Sequence, residues 1–445
     1  MSVAAYESYR DSSIEWLGAV PSHWRLSKLR YLATFSGGGT PSRDNPKFWG
    51  GTLPWVSPKD MKAAVISGAQ ESITELGLSE SSTSLVPPGA LLMVVRSGIL
   101  QHTIPVAQNI VPVALNQDIK ALRFGPECQP AFFLRWVQGL NKALLLAWAK
   151  QGATVESIEH AYLAETVIPL PPVEEQTAIT AFLDRETGKI DSLVEAQRRL
   201  IELLKEKRQA VISRAVTKGL DPTAQMKDSG VEWLGEVPAH WEVKAIKMLS
   251  PVFRGASPRP IDDPKYFDDE GEFCWVRIAD VSASDGVLRE TPQRLSDLGS
   301  SLSVKLQPGS LFISIAGTVG KPCITSIKAC IHDGFVYFPR LGHESDFLYR
   351  IFEGGACYAG LGKMGTQLNL NTDTVGSIRI ALPGPDEMAE ISDYLDRETA
   401  RISALVFQAE AAVILLQERR AALISAAVTG KIDVRGLSDS EAEAA

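Results

Sequence analysis

Two stretches of the chain place apolar residues three or four positions apart. The first runs Ile190, Leu193, Gln197, Leu200, Leu204, Val211, Ala215; the second runs Ile402, Leu405, Ala409, Ala412, Leu416, Leu423, Ala427 in the same register. This spacing predicts two helices, each with a helix-packing seam. Each would be about 40 residues long, roughly 60 Å if continuous. Pro171-Pro172 before the first, and Pro383 and Pro385 before the second, suit helix entrances. Glu174-Glu175 put negative charge in the first turn, where the helix dipole favours it. Gly188 is positioned to break the first helix early. Each helix has one apolar stripe that needs a partner, and the best-matched partner is the other copy. The blocks ahead of the helices read as mixed α/β. Ala90–Val95 and Ser310–Ile315, each after a Pro-Gly turn, read as strands. Pro130–Lys150 and Ser345–Leu361 are patterned as helices, with Trp136, Leu140 and Leu144 on one face.

This doubling extends to the whole chain. Asp11–Trp24 (DSSIEWLGAVPSHW) returns as Asp228–Trp241 (DSGVEWLGEVPAHW), an offset of 217. The segment Ile168–Asp221 returns as Ile380–Asp433 at an offset of 212. Between these anchors the landmarks thin out. Trp55-Val56 matches Trp275-Val276 and Pro88-Gly89 matches Pro308-Gly309, both at 220, while Asp118 matches Asp333 at 215. Drifting offsets mean insertions and deletions, which loops tolerate. The glycine-bearing loops Ser36–Pro41 and Arg254–Pro258 sit at matching places. The chain is two copies of one unit, a variable block followed by a well-matched helix.

Composition narrows the class. With 445 residues, 45% hydrophobic and 22% charged, the chain has material for two to four domains and the profile of a globular protein. The longest apolar run noted, Ala143–Ala149, is far short of a membrane span, and the polar N-terminus lacks the apolar region of a secretory signal. Five cysteines (Cys128, Cys274, Cys323, Cys330, Cys357), none in a CxxC pair, read as buried thiols in a reducing cytoplasm. The tail Ser438–Ala445 is acidic and alanine-rich.

No catalytic constellation stands out. Gly317–Pro322 is too short for a phosphate-binding loop and lacks its magnesium-holding hydroxyl. The six histidines (His23, His102, His160, His240, His332, His343) are scattered, without metal-ligand spacing. His23 and His240 occupy the repeated PxHW motif and read as capping or packing groups. Asp60-Met61-Lys62 and Asp118-Ile119-Lys120 resemble the end of a nuclease metal motif, with no partnered upstream carboxylate.

Binding is the better reading. The formal charge of −8 argues against uniform affinity for nucleic acid but permits a local basic face. Residues 21–170 hold 13 Lys+Arg against 10 Asp+Glu, and residues 238–382 hold 15 against 16. Basic and amide side chains lie in loops beside aromatics: Arg43, Lys47, Lys59, Arg96 and Gln101, then Arg254, Arg259, Lys265, Arg277 and Lys321. Arg and Lys would neutralise phosphates or meet guanine edges, and Gln adenine edges. Two similar blocks on helical spacers would act as two reading heads, and a pseudo-two-fold would present them to DNA as an inverted pair. The order block–helix–block–helix brings the end of the second helix to the start of the first block, a near-circular arrangement.

The residues carrying a family resemblance are the motif Asp228–Trp241, the loop Ser36–Pro41, Leu53–Ser57 before Asp60, Pro88–Leu92, Asn116-Gln117-Asp118, and Ile168–Gln176 leading into the helix. Over residues 11–433 the sequence resembles the specificity (S) subunit of type I restriction–modification systems. It departs in the second copy, where Pro383–Met388 lacks the glutamine and Arg254–Pro258 lacks the Gly-Gly-Thr-Pro loop. The resemblance implies two α/β (α+β) target-recognition domains joined by two long antiparallel, coiled-coil-like helices. The expected divisions are a first recognition domain at 1–173, a first spacer helix at 174–217, a linker with the second opening motif at 218–237, a second recognition domain at 238–384, a second spacer helix at 385–430, and an acidic tail at 431–445. It also implies a non-catalytic cytoplasmic subunit without cofactor or metal, bound to double-stranded DNA and not to membrane. Its expected partners are two adenine methyltransferase subunits using AdoMet and two restriction/translocase subunits using ATP and Mg. Glu195, Arg198, Glu202 and Glu206 become candidate docking residues on the helix face. A two-headed protein-binding scaffold, or a metal-dependent nuclease using Asp60/Lys62 or Asp118/Lys120, are the alternatives.

Overall fold

In the computed structural model, residues 5–150, 155–342, 344–361 and 370–437 are described; His343 and the acidic tail Ser438–Ala445 lie outside them. The chain divides into two compact units. Unit 1 comprises Met1–Gln197 and Ala411–Ala445, and unit 2 comprises Arg198–Glu410. Each therefore contains one variable block, part of one long helix and part of the other.

The long helices are Val173–Lys218, 46 residues, and Pro385–Val428, 44 residues. The first runs through Gly188 without a break, because a helix tolerates one glycine for about 1 kcal/mol when packing on both sides holds it. Each ends on a left-handed glycine, Gly219 (φ 67°) and Gly430 (φ 73°), a conformation only glycine takes without strain. The seam differs by one residue from the pattern expected. Leu193 and Leu200 are exposed, and Val194 and Ile201 are buried between Ile190 and Leu204. On the second helix Leu405 is exposed, while Ile402 and Ala409 are buried.

In unit 1 the block forms a head with two sheets. The larger has the order Ala33–Gly37, Ile119–Phe124, Leu91–Val94, Val106–Asn109, Val65–Ile66, antiparallel except for the last pair. The smaller pairs Ala114–Leu115, parallel, and Glu71–Ile73, antiparallel, with Trp49–Val56. Leu92, Val94, Val56, Leu115 and Ile119 fill the space between them. Helices Pro130–Gly139 and Asn141–Trp148 replace the single helix expected there, and they bury Trp136, Leu140 and Leu144 as that pattern required. Their core continues through Ile179, Phe182 and Leu183 of the first long helix to Ile424, Ala427 and Val428 of the second. Arg420 donates Nε to Asp191 at 2.8 Å, so the two helix segments lie side by side.

Unit 2 repeats the plan. Its larger sheet runs Phe253–Arg254, Phe335–Tyr337, Leu311–Ser314, Pro322–Thr325, Val287–Leu288, again with only the last pair parallel. The smaller sheet is Arg294–Leu295, Phe273–Val276, Ala329–Ile331, Val304–Leu306. Helix Ser345–Gly354 packs Phe347, Leu348, Ile351 and Phe352 into one core with Ile212, Ala215 and Val216 of the first long helix and Met388, Ile391 and Leu395 of the second. Gly219 faces Glu387, and Tyr394 lines a pocket with Val211 and Arg214, so here the long helices run antiparallel.

Each head is closed by its own first and last strands. Arg25–Lys28 pairs with Val167–Leu170 in unit 1, and Glu242–Ala245 with Arg379–Leu382 in unit 2, both antiparallel. The repeated opening motif forms a short hairpin in each copy, Tyr9–Asp11 with Ala19–Pro21 and Met226–Asp228 with Glu236–Pro238. The expectation of two α/β heads carried on two long helices therefore holds. All five cysteines are buried free thiols.

Candidate nucleic-acid interface

The two histidines of the repeated motif have structural work. In unit 1 the buried Glu175 carboxylate, at the start of the long helix, accepts from Tyr6 Oη at 2.5 Å and Trp24 Nε1 at 2.9 Å, and pairs with His23 Nε2 at 2.8 Å. In unit 2 Glu387 pairs with His240 Nε2 at 2.8 Å and accepts from Trp241 Nε1 at 3.0 Å, with no third side-chain donor among the described residues. The end of the other long helix meets the same motif. A Cβ on Gly430 would lie 2.3 Å from Pro21, whereas on Gly219 it would find 3.2 Å to Trp241. Unit 1 is further tied by Arg435, which sits over the Tyr6 ring at 4.9 Å, and by Arg185 donating to the Leu437 carbonyl. The end of the second helix therefore does return to the opening motif of the first block.

The candidate DNA-binding side chains fall into distinct environments. Arg43 stacks on Trp49, 3.9 Å from the ring centroid, and its guanidinium forms a bidentate pair with Glu71. That pair holds the Glu71 carboxyl below its usual range, with Lys59 contributing. Lys47 is exposed on the turn Pro46–Phe48, whose start is capped by Asn45. Lys59, also exposed, lines a groove of about 1090 Å³ with Lys62, His102 and Lys142. Gln101 ends the short turn Gly98–Gln101 and is exposed.

Arg96 stands in a more organised place. Loop Gly38-Gly39 lies flush on the strand end at Leu115-Asn116: a Cβ on Gly38 would be 2.1 Å from the Leu115 carbonyl oxygen. Gly39 N–H donates to Leu115 O at 2.9 Å and its carbonyl accepts from Trp55 Nε1 at 3.0 Å. Thr40 Oγ1 donates to Gln117 Oε1. In the next residue, Asp118 accepts from Arg96 Nε at 2.6 Å and from Asn116 Nδ2 at 3.0 Å.

Unit 2 has the same corner. A Cβ on Gly255 would be 2.1 Å from the His332 carbonyl oxygen. Ser257 Oγ donates to Asp333 Oδ1 at 3.3 Å, Arg259 Nη2 donates to Asp333 Oδ2 at 2.9 Å, and Arg254 Nε donates to the Asp333 carbonyl. His332, packed between Trp275 and Phe335, has its pKa lowered mainly by burial. Lys265 pairs with Asp263 at 2.7 Å, and Arg277 with Asp280 at 3.5 Å. Lys321 commits its ammonium to the carbonyls of Ser282 and Ser284, at 2.9 and 2.8 Å, and so braces a loop.

The acids considered for metal chemistry also serve as loop braces. Asp60 accepts from the N–H and Oγ of Ser57 and the N–H of Gln70, at 2.8–2.9 Å. Among the described residues no group of three His, Cys, Asp or Glu is placed to hold a metal ion. Of the two amides, the structure anchors Gln117 of the Asn116-Gln117-Asp118 motif, through Thr40, and not the sequence candidate Gln101.

On the long helices Glu195, Arg198, Glu202 and Glu206 are exposed, Glu202 pairing with Lys205 at 3.2 Å. The second helix exposes apolar side chains: Phe407 is 72% exposed, Ile414 57% and Leu415 64%. That helix contains an 18-residue window of mean hydropathy 1.5, long and apolar enough by length and composition to cross a membrane and only 17% buried. This corrects the expectation that no such stretch exists. The run Ala404–Leu416 is apolar apart from Gln408 and Glu410, and these interruptions hid it from a search for unbroken runs.

Comparison with known proteins bears out the resemblance read from the sequence. Residues 21–203 match the family described as the type I restriction modification DNA specificity domain. The specificity subunit of the type I restriction enzyme EcoR124I/EcoR124II from Escherichia coli is 34% identical over 197 residues, 44% of this chain and 46% of that protein. The MjaIX specificity subunit from Methanocaldococcus jannaschii is 27% identical over 247 residues, 54% and 55% of the respective chains. The chain thus spans about half the length of these curated relatives. In fold it matches a chain from a structure of type I R–M complex assembly and conformational transition, with TM-score 0.72 at 18% identity over 92% of this chain and 98% of that one. The HsdS subunit of Thermoanaerobacter tengcongensis gives TM-score 0.54 at 18% identity, over 93% and 98%.

Proposed function

We propose that this chain, whose residues 21–203 carry the type I restriction modification DNA specificity domain, reads a split, asymmetric site in double-stranded DNA, one half with each head. The observation that carries the reading is the doubled frame. Two heads of one topology each present a glycine-backed corner with exposed arginine, while differing in the side chains at that corner. Identical frames with different loops suit recognition of two different half-sites. The long helices would set the spacing between the halves.

The chain would act without catalysis of its own, in the cytoplasm, and without a bound cofactor. Methylation of adenine would come from two methyltransferase subunits using AdoMet, and cleavage from two restriction/translocase subunits using ATP and Mg. The exposed charged residues Glu195, Arg198, Glu202 and Glu206 of the first helix, and the exposed apolar residues Phe407, Ile414 and Leu415 of the second, each suit docking of such subunits, since exposed apolar side chains mark protein interfaces. The exposed apolar stripe also accounts for the membrane-scale hydropathy of this helix, and a protein partner would cover it.

A map of methylated adenines across the source genome, with and without this gene, tests the reading. Loss of one split motif on deletion is the expected result. An unchanged map in a strain that expresses the methyltransferase would overturn it. The scaffold alternative predicts no steep fall of DNA binding with added salt, whereas a reader that neutralises phosphates loses affinity steeply.

A further inference from the structure

The two heads carry basic side chains in many loops, but most have their hydrogen-bonding edges occupied. Arg43 gives both arms to Glu71, and Lys321 is held by two backbone carbonyls. The corner at Gln117 is different. Asp118 takes Arg96 through Nε, and the two terminal nitrogens of that guanidinium have no partner among the described residues. Thr40 fixes Gln117 through Oε1, and the exposed Nε2 likewise has none. A planar fork and a planar amide are therefore anchored at consecutive residues of one segment, Arg96 on Asp118 and Gln117 by Thr40, each held at one point and open on the remaining edge. The backbone beneath them cannot give way easily, because Gly38 lies against a neighbouring strand end closer than any Cβ would permit.

We propose that this corner is where the first head reads base edges, Arg96 against guanine and Gln117 against adenine, and that the matching corner of the second head reads through Arg259. The assignment rests on the DNA-reading function proposed above. An arginine fork matches the O6 and N7 acceptors of guanine, and a glutamine amide matches N6 and N7 of adenine. In the first head, anchoring of Arg96 through Nε leaves that fork intact and reduces the freedom lost on binding; Arg259 is anchored through Nη2 instead, which leaves its Nε and Nη1 to meet a base. Asp118 and Asp333 are positioning residues. They face the arginines, at 2.6 and 2.9 Å, and orient them without touching a base. In the second head Tyr266 Oη donates to the Arg259 carbonyl at 3.0 Å and supports the loop from below.

The test replaces the gene in its own strain with Q117A, R96A, D118N or R259A and maps methylated adenines for each. Q117A and R96A are expected to relax single positions of one half-site, by about tenfold or more in preference, with the other half and the spacing unchanged. D118N is expected to relax the same position as R96A, whereas a merely structural role would lower methylation at every site alike. R259A is expected to relax the opposite half. An unchanged motif in the alanine variants, relaxation in both halves from one variant, or general loss of methylation at an unaltered melting temperature would each overturn the assignment. Where an alanine variant melts early, Q117E and R96K, which keep side-chain length, replace it and are judged by the same outcomes. If the wild-type gene yields no split motif, the DNA-reading function itself fails, and that outcome is distinct from failure of the corner.

Discussion

Unit 1 and unit 2 share a strand order and a joint, yet the joint is built more tightly in unit 1. Glu175 is 5% exposed and receives three side chains, while Glu387, whose side chain is 29% exposed, receives two. Gly430 is pressed on Pro21 at 2.3 Å for a built Cβ, and Gly219 is approached less closely, at 3.2 Å by Trp241 and Glu387. The difference teaches that a duplicated frame can keep its geometry while the energy holding it becomes unequal. The same sequence position is therefore worth different amounts in the two copies.

The largest effect expected follows from the carboxylates. Glu175→Ala strands the Tyr6 hydroxyl and the Trp24 indole N–H in a buried site and removes a partner of His23, at a cost of about 3–5 kcal/mol. Glu387→Ala has fewer groups to strand, in a wetter site, and should cost about 1–2 kcal/mol. Calorimetric melting of the two variants checks the ranking. Equal losses would show that the third partner and the deeper burial contribute nothing.

Alkaline pH should cost unit 2 more than unit 1. Burial pushes the Cys128 thiol of unit 1 up to about 12, while in unit 2 Cys323 and Cys330 rise to about 11 and Cys357 to about 12. A thiol whose folded pKa is raised stabilises the fold fully below its ordinary value near 9. That contribution is lost as pH climbs towards the folded value. Each such group withdraws about 1.4 kcal/mol per pH unit in that window. With three groups against one, unit 2 should lose about 3 kcal/mol more than unit 1 by pH 10. Tyr349 and Tyr358 of unit 2, and Tyr6 of unit 1, shift upward for the same reason, burial, and add in the same direction. Pulsed alkylation with peptide mapping would read this out. Cys323, Cys330 and Cys357 should be modified at a lower pH than Cys128.

The helix ends provide a smaller contrast. Alanine at either Gly219 or Gly430 must adopt a left-handed backbone, costing about 1 kcal/mol. At Gly430 the new methyl also meets the Pro21 ring at 2.3 Å, so the joint must open and the cost should reach about 2–3 kcal/mol. Equal melting shifts for the two substitutions would mean that the close approach to Pro21 is readily relieved.

Much of this molecule was legible in its sequence, for a physical reason. Duplication leaves a signal that needs no propensity argument, and the proline-led helices and Pro-Gly-led strands are set by local chemistry. What escaped were properties fixed by distant residues. The arginines and lysines were visible as residue types, but the acids that decide their freedom lie far along the chain. Glu71 is 28 residues from Arg43, Asp118 is 22 from Arg96, and Asp333 is 74 from Arg259. Gln117 acquires its setting from Thr40, 77 residues away, whereas Gln101, identical in type, has no such side-chain bond among the described residues.

The helix seam shows the same limit at closer range and gives the smallest effects. Leu193-Val194 and Leu200-Ile201 are adjacent apolar pairs, so hydrophobicity alone cannot say which member faces the partner helix. Packing decides: Val194 and Ile201 are 8% exposed, against 51% and 43% for the leucines. Val194→Ala and Ile201→Ala should therefore cost about 1–3 kcal/mol each through lost burial and the cavity left behind. Leu193→Ala and Leu200→Ala should stay within about 0.5 kcal/mol. A melting series of these four variants separates the two registers. If the leucines proved the costly pair, the seam would be the one read from the sequence, and the exposed stripe assigned to partner docking would rotate by one residue around the first helix.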